Sequence, residues 1–217
     1  MIIEGTTANV LFENVIQELK QHKVNDEKVA YELINANLIL RDPTHNVMCD
    51  CIIKMPIRYA IGELLWYNSK RNDWKSIYPF STFWKNISDD GVTVNSNYGH
   101  CIHEKYNFDQ WEMVKQLLKN DPSTRQAVIH IKEARNLIDY PTKDLNCTIA
   151  LQFILRNNKL DLIVTMRSND VWLGLPYDLF NFTCMQILMA MELGVEIGTY
   201  YHNAASLHMY RSDANKI

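Results

Sequence analysis

Apolar positions recur along this chain with two different periods, and the switches between them predict its elements. Val10, Leu11, Val15, Ile16 and Leu19 return every three or four residues, as do Ile57, Ala60, Ile61, Leu64 and Leu65, then Trp111, Val114, Leu117 and Leu118. Each set predicts an amphipathic helix. The third ends before Asp121-Pro122, because proline lacks the amide proton and its ring clashes with the preceding turn. Residues 28–40 mix alternation with β-branched side chains and predict a long strand, and residues 47–54 predict another. Residues 147–155 and 159–166 are rich in strand formers, and Asn157-Asn158 between them tolerates a tight turn, so the pair predicts a hairpin. Strands are also expected over 126–132 and 195–210. A long apolar helix should begin near Tyr177, after Gly174 and Pro176 break the chain. Long helices and strands that do not alternate regularly predict an α+β fold, one large mixed sheet covered by helices.

Composition bounds the function more than it identifies it. At 217 residues and 47% hydrophobic content, with nothing resembling a linker, repeat or low-complexity tract, residues 1–217 read as one domain with a sizeable core. A net charge of -3 gives no reason to expect direct binding of nucleic acid. The N-terminus lacks the charged and apolar regions of a leader, and no apolar run approaches the roughly 20 residues that span a bilayer. Five scattered cysteines suit a reducing compartment, so a cytoplasmic location is expected, or the host cytoplasm if a phage encodes the chain. His45, Cys49 and Cys51 are loosely spaced like metal ligands. A Cys-x-Cys on a strand with no second pair reads as structural, and no metal is expected.

Candidate chemistry concentrates in Arg167-Ser168-Asn169-Asp170-Val171-Trp172-Leu173-Gly174-Leu175-Pro176-Tyr177-Asp178, read together with Cys147. Arg167 and Ser168 stand at a strand end, where a guanidinium fork and a hydroxyl can grip a phosphate. Asp178 falls in the first turn of the following helix, where a carboxylate is also favoured simply by the helix dipole. A cysteine before an apolar strand is most often a small buried hydrophobe. Glu63 lies between Ile61 and Leu64 on an apolar helix face, where an unpaired carboxylate is costly; it reads as functional or as half of a buried ion pair. His208 and Tyr210 alternate on a strand and share a face, which suits a ligand contact or a packed, satisfied histidine.

These runs resemble the thymidylate synthase superfamily. Its members carry a similar Arg-Ser-x-Asp-x-x-x-Gly-Leu-Pro-Phe-Asn segment downstream of a catalytic cysteine. Glu63-Leu64-Leu65-Trp66, Asn97-Tyr98-Gly99, Asp121-Pro122-Ser123-Thr124-Arg125 and His208-Met209-Tyr210 match further family blocks in order. The resemblance covers about 55–210 and implies a thymidylate synthase-like fold whose large sheets pack face to face in a homodimer. It is closest to the deoxycytidylate and cytidylate 5-hydroxymethylases, in Asn95-Ser96-Asn97-Tyr98-Gly99 and in Met166-Arg167-Ser168-Asn169-Asp170-Val171.

Two departures from the synthases shape the expected reaction. Asp178 replaces the asparagine that pairs with uracil N3–H and O4. An ionised carboxylate cannot donate to O4, whereas cytosine offers an N4 donor and an N3 acceptor. The chain also stops seven residues after Tyr210, without the synthase tail that closes over folate, so water rather than hydride is expected to reach the transferred carbon.

The resemblance therefore implies conversion of dCMP or CMP, 5,10-methylenetetrahydrofolate and water to the 5-hydroxymethyl nucleotide and tetrahydrofolate. Methylation of dUMP or a cytidylate, and a catalytically silent nucleotide-binding protein, are the alternatives. It implies Cys147 as nucleophile, with a pKa lowered by nearby arginines. Glu63 and Tyr98 are expected to order water, and Asp178 to stabilise a proton at N3. Arg167, Ser168, Asn169 and Arg41 are expected to bind substrate, with Arg125 reaching the phosphate of the partner subunit. Trp84, Asp170 and Gly174 are assigned to the folate, and His208 and Tyr210 to the sugar. Gln126 stands where many synthases have a second arginine, and Thr148 where they have histidine.

Overall fold

The computed structural model describes residues 1–137 and 142–217. Its strands form one mixed sheet: β1 (Ile2–Gly5), β2 (Val29–Leu40), β3 (Val128–His130), β4 (Thr148–Arg156), β5 (Lys159–Met166), β6 (Asn169–Asp170) and β7 (Glu196–Tyr210). The spatial order is β1-β2-β7-β5-β4-β3, with β6 also paired to β7. Pairings β1 to β2, β5 to β7 and β6 to β7 are parallel; β2 to β7, β4 to β5 and β3 to β4 are antiparallel. The expected hairpin is present. Asn157 and Asn158 turn at φ 50° and 60°, a left-handed conformation that asparagine tolerates.

Helices α1 (Ala8–Leu19) and α7 (Leu175–Leu193) pack on the sheet, α1 against β1 and β2, α7 against β5 and β7. Beside α7 lie α2 (Ile57–Asn68) and α6 (Gln110–Asn120), with the short helices α3 (Trp74–Ile77), α4 (Phe83–Ile87) and α5 (Tyr98–His103). Strand pairing puts Leu38, His202, Val164 and Leu151 in one row, all fully buried. The next row, Ile39, Tyr201, Ile163 and Gln152, points to the opposite face and is only half-buried. Period two thus separates a packed face from a second, apolar but open one.

Three expectations are corrected. Residues 47–54 form no strand: β2 already has β1 and β7 on its two edges, and the segment is tied elsewhere, Met55 N–H to the Met48 carbonyl at 3.0 Å and Cys49 N–H to Asn9 Oδ1 near the start of the chain at 3.1 Å. The strand over 126–132 shrinks to the three residues that pair with Gln152, Leu151 and Ala150 of β4. In α2 the helix is right but only part of the apolar stripe is inside, Ala60 buried and Leu64 half-buried against the core. Ile57, Ile61 and Leu65 are exposed, while Gly62, Glu63, Trp66 and Tyr67 are inside.

Candidate active site

The site begins at the front of α5. Buried Asp144 accepts hydrogen bonds from the backbone N–H groups of Asn95 and Ser96, the latter at 3.0 Å, and the Asn97 side chain caps the helix by accepting from His100 N–H at 2.7 Å. Tyr98, the first helical residue, is thereby pressed between Tyr67 and Phe182, with ring centroids 5.4 and 5.5 Å away. Gly99 has a steric reason: a Cβ there would lie 1.9 Å from the Tyr67 carbonyl oxygen.

Cys147 stands just before β4 and Arg167 just after β5, so the hairpin register brings them together. Arg167 N–H donates to the Cys147 carbonyl at 2.9 Å, and its guanidinium lies 3.6 Å from Cys147 Sγ while also donating to the Asn146 carbonyl at 3.0 Å. The expected depression of the thiol pKa is not found. Burial pushes the Cys147 thiol up, Arg167 and Lys132 pull it down, and Asp178 and Asp170 add to the rise.

Short β6 carries the next residues against β7, pairing Asn169 with Leu207 and Asp170 with His208. Ser168 Oγ and Ser206 Oγ lie 3.5 and 3.4 Å from His208 Nδ1, and the His208 ring meets Tyr210 edge-on at 4.9 Å. Asp170 Oδ1 accepts from Trp172 and Leu173 N–H at 2.7 and 3.0 Å, shaping the turn into α7. Gly174 lets that turn close: a Cβ would sit 2.9 Å from Asn169 Nδ2 and 3.0 Å from the Asp170 carbonyl.

Two buried polar chains meet at this end of α7. Glu63 accepts from the Tyr59 hydroxyl and from Asn181 Nδ2, both at 2.7 Å, and Trp84 Nε1–H donates to Tyr59 at 3.1 Å. Burial raises the Glu63 carboxyl to about 7 against the opposing effect of those hydrogen bonds. Half-buried Asp178 accepts from Asn169 Nδ2 at 2.7 Å, and Asn169 Oδ1 meets His202 Nε2 at 3.0 Å. Burial, and then the nearby Glu63, lift Asp178 to about 8. The sequence reading missed Tyr59, Asn181 and His202. A tyrosine four residues before Glu63 was the one local signal, since that spacing shares a helix face.

Two residues stay apart from this cluster. Arg41 follows Leu40, which pairs with Tyr200, whereas His208 pairs with Glu32 at the other end of β2; the Arg41 guanidinium is bound to Glu4 at 2.8 Å. Arg125 is exposed beside β3, and the pairing of Val128 with Gln152 directs it toward the Leu155 end of β4, away from Cys147. Eight residues of strand separate those ends, about 26 Å. His45 bonds Asp42 at 2.7 Å and the Cys51 thiol donates to the Ile53 carbonyl at 3.2 Å. Among the described residues, no group of three or more His, Cys, Asp or Glu side chains could hold a metal ion, and no helix is long and apolar enough to cross a membrane.

Comparison with known proteins agrees with this geometry. The deoxyuridylate hydroxymethyltransferase of Bacillus phage SP01 is 38% identical over 167 residues, which cover 71% of this chain but only 44% of that protein. The deoxycytidylate 5-hydroxymethyltransferase of Enterobacteria phage T4 is 29% identical over 164 residues, 70% of this chain and 66% of that protein. The thermostable thymidylate synthase A of Bacillus subtilis superposes with a TM-score of 0.81 over 97% of this chain and 82% of that one; at 24% identity, this likeness shows the fold. The sequence profile described as thymidylate synthase matches residues 7–217. A match over nearly the whole chain, on the same fold, means that this protein belongs to the thymidylate synthase family.

Proposed function

We propose that this chain is a folate-dependent C5 hydroxymethyltransferase acting on a cytidylate: dCMP or CMP, 5,10-methylenetetrahydrofolate and water give the 5-hydroxymethyl nucleotide and tetrahydrofolate. The observation that carries the reading is the convergence of Cys147, Arg167, Glu63 and Asp178 on one end of the sheet, where burial raises the two carboxyls to about 7 and about 8. Carboxyls with raised pKa values facing a thiol suit proton handling rather than simple binding.

Cys147 Sγ adds to C6 of the pyrimidine, and the electron pair of the C5=C6 bond makes C5 the nucleophile. Arg167, 3.6 Å from Sγ, stabilises the thiolate as it forms and faces the 5′-phosphate together with Ser168. Asp178 holds a proton at N3. Glu63, with a pKa of about 7, takes the proton of the attacking water, and Tyr98 closes that side of the pocket. His208 and Tyr210 border the sugar.

Methylenetetrahydrofolate, when bound, supplies the one-carbon unit. Trp84 and Asp170 fit such a ligand. The half-buried Trp84 indole is fixed by Tyr59, and Asp170 commits Oδ1 to its turn, leaving Oδ2 to accept from a pterin N–H. Gly174 serves that site indirectly, by letting the turn pack on Asn169.

A uridylate substrate is the second reading, favoured by the state of Asp178. The sequence argument against uracil assumed an ionised carboxylate, but a carboxyl with a pKa of about 8 is neutral at pH 7 and has both a donor and an acceptor. It can pair with uracil or with cytosine.

Completion of the site by a second copy of this chain is part of the proposal. Arg125 stands too far from Cys147 in one protomer to serve its phosphate, and the half-buried row of Ile39, Tyr201 and Ile163 offers an apolar face for sheet-to-sheet pairing.

The test is release of tritium from 5-tritiated dCMP, CMP and dUMP in the presence of methylenetetrahydrofolate, with mass analysis of products. The expected outcome is release from a cytidylate and a product carrying one added hydroxymethyl group. Release from dUMP alone makes the chain a uridylate enzyme, and release from none overturns the reaction.

A further inference from the structure

In the buried row of Leu38, His202, Val164 and Leu151, three members are apolar and the fourth is a histidine with no exposed surface. A histidine in such a place is costly unless both ring nitrogens are bonded. Both are. The Tyr200 hydroxyl lies 2.9 Å from Nδ1, and Nε2 lies 3.0 Å from Asn169 Oδ1. The Asn169 amide nitrogen in turn lies 2.7 Å from Asp178 Oδ2.

The direction of this chain of hydrogen bonds follows from its buried end. Tyr200 is fully buried, and among the described residues its hydroxyl has one partner, His202 Nδ1. A phenol donating to Nδ1 leaves the imidazole proton on Nε2. Nε2–H then donates to Asn169 Oδ1, which turns the Asn169 NH2 toward Asp178. The reverse direction would leave a buried phenol proton without an acceptor. Burial also keeps His202 neutral, lowering its pKa to about 3. The groups around the Asp178 carboxyl are Glu63 and Tyr67 of α2, Tyr98 of α5, Cys147 and Tyr200, and among the described residues only Asn169 donates a hydrogen bond to it.

We propose that Tyr200, His202 and Asn169 form a positioning relay that fixes which oxygen of Asp178 accepts and which carries the proton, and so makes the site read one base and reject the other. The inference rests on the proposed role of Asp178 in base recognition. A hydrogen-bond donor on Oδ2 makes that oxygen the carbonyl and leaves the hydroxyl on Oδ1. Cytosine presents an acceptor at N3 and a donor at C4; uracil presents the opposite order. For a base held in one orientation, a fixed order of O–H and C=O matches one of the two and opposes lone pair to lone pair, or proton to proton, with the other. A carboxyl without the relay can carry its proton on either oxygen and accept both bases. A carboxyl would by itself be an ambivalent reader; the relay gives it a single polarity.

The experiment compares binding and turnover of dCMP and dUMP in the wild-type chain, Tyr200→Phe and Asn169→Val, with binding repeated in an Asp178→Ala background. Nitrogen-15 NMR of His202 is recorded alongside. Tyr200→Phe removes a single oxygen and leaves the ring that packs the core. The expected result is a His202 held as the neutral Nε2–H tautomer from pH 6 to 8, and a base preference that falls about tenfold in either variant, the worth of one well-placed hydrogen bond. In the Asp178→Ala background the same changes leave the preference unaltered, because no carboxyl remains for the relay to polarise. An Nδ1–H tautomer, an unchanged preference in both variants, or equal losses in the two backgrounds would overturn the relay. A wild-type chain that prefers dUMP overturns the cytidylate reading while leaving the relay standing, its variants then losing preference from the other side. A wild-type chain that binds both nucleotides alike overturns the relay itself.

Discussion

Glu63 and Asp178 are carboxyls that burial raises to about 7 and about 8, and the nearby Glu63 adds to the rise at Asp178. Below about pH 4, the ordinary range for carboxyls, both are protonated whether the chain is folded or not. Between there and about 8 the unfolded chain releases protons that the folded chain keeps, so stability falls as pH rises, and the loss is complete above the folded value of Asp178. The melting temperature of the nucleotide-free protein should therefore drop from pH 6 to 8, and Asp178→Asn should flatten that drop; calorimetry across the window checks it. The Cys147 thiol gives a second prediction at this scale. Because burial outweighs Arg167, alkylation should be slow at pH 7 and climb only above the ordinary thiol value of roughly 8.5, and a rate already on its plateau at pH 7 would contradict the site as described. Cys147, Glu63 and Asp178 were legible in the sequence because their neighbours match family blocks. Tyr59 left only its four-residue spacing from Glu63, and Asn181 and His202 left nothing, since Asn181 bonds Glu63 of α2 and no local spacing encodes a bond from β7 through β6 to α7. The protonation states were equally hidden: counting arginines suggested a low thiol pKa, while burial, a tertiary property, decides it.

At the scale of elements, the helices that carry the site are placed by close backbone approaches more than by helix propensity. α5 is six residues long, too short to be stable alone, and is held by the Asp144 carboxylate, the Asn97 cap and the contact of Gly99 with α2. Gly99→Ala would drive a methyl group into the Tyr67 carbonyl, so one helix must move. The expected cost is about 1–3 kcal/mol of stability, with Tyr98 displaced and turnover reduced more than binding; denaturant melts and steady-state kinetics on the same variant check both. Periodicity revealed the long helices and the β4–β5 hairpin, where local pattern and tertiary role coincide. It failed over residues 47–54, which follow β2 in the chain while β1 and β7 already occupy both edges of that strand, and it misassigned part of the inward face of α2. There Ile57, Ile61 and Leu65 of the apolar stripe are exposed, and inward placement goes to Ala60 and to Gly62, Glu63, Trp66 and Tyr67, with Leu64 half-buried. A stripe read from sequence reports which face avoids water, and a second surface can claim it as well as the core.

For the whole molecule, the sheet separates the residues proposed for one phosphate site to opposite ends of β4. Cys147 and Arg167 sit where the strand begins, and Arg125 lies beside its far end, so among the described residues the proposed nucleophile has Arg167 at hand while Arg125 stands apart from it. Two-fold pairing through the open face would carry each Arg125 toward the other protomer's Cys147 end, and self-complementary contact is the rule for such dimers. Arg125→Ala and Cys147→Ala should each abolish turnover as separately prepared proteins, the first by losing the phosphate and the second by losing the bond to C6. Unfolded together and refolded, they should recover activity, because a mixed dimer places the intact Arg125 of one protomer beside the intact Cys147 of the other. With random reassortment, half the dimers are mixed and each has one complete site of two, so the recovered specific activity should approach about a quarter of wild type. The two proteins refolded separately and then combined serve as the control. Recovery confined to the co-refolded sample assigns Arg125 to the partner's phosphate, whereas no recovery, with dimers verified by sedimentation, would place the second phosphate cation within a single protomer.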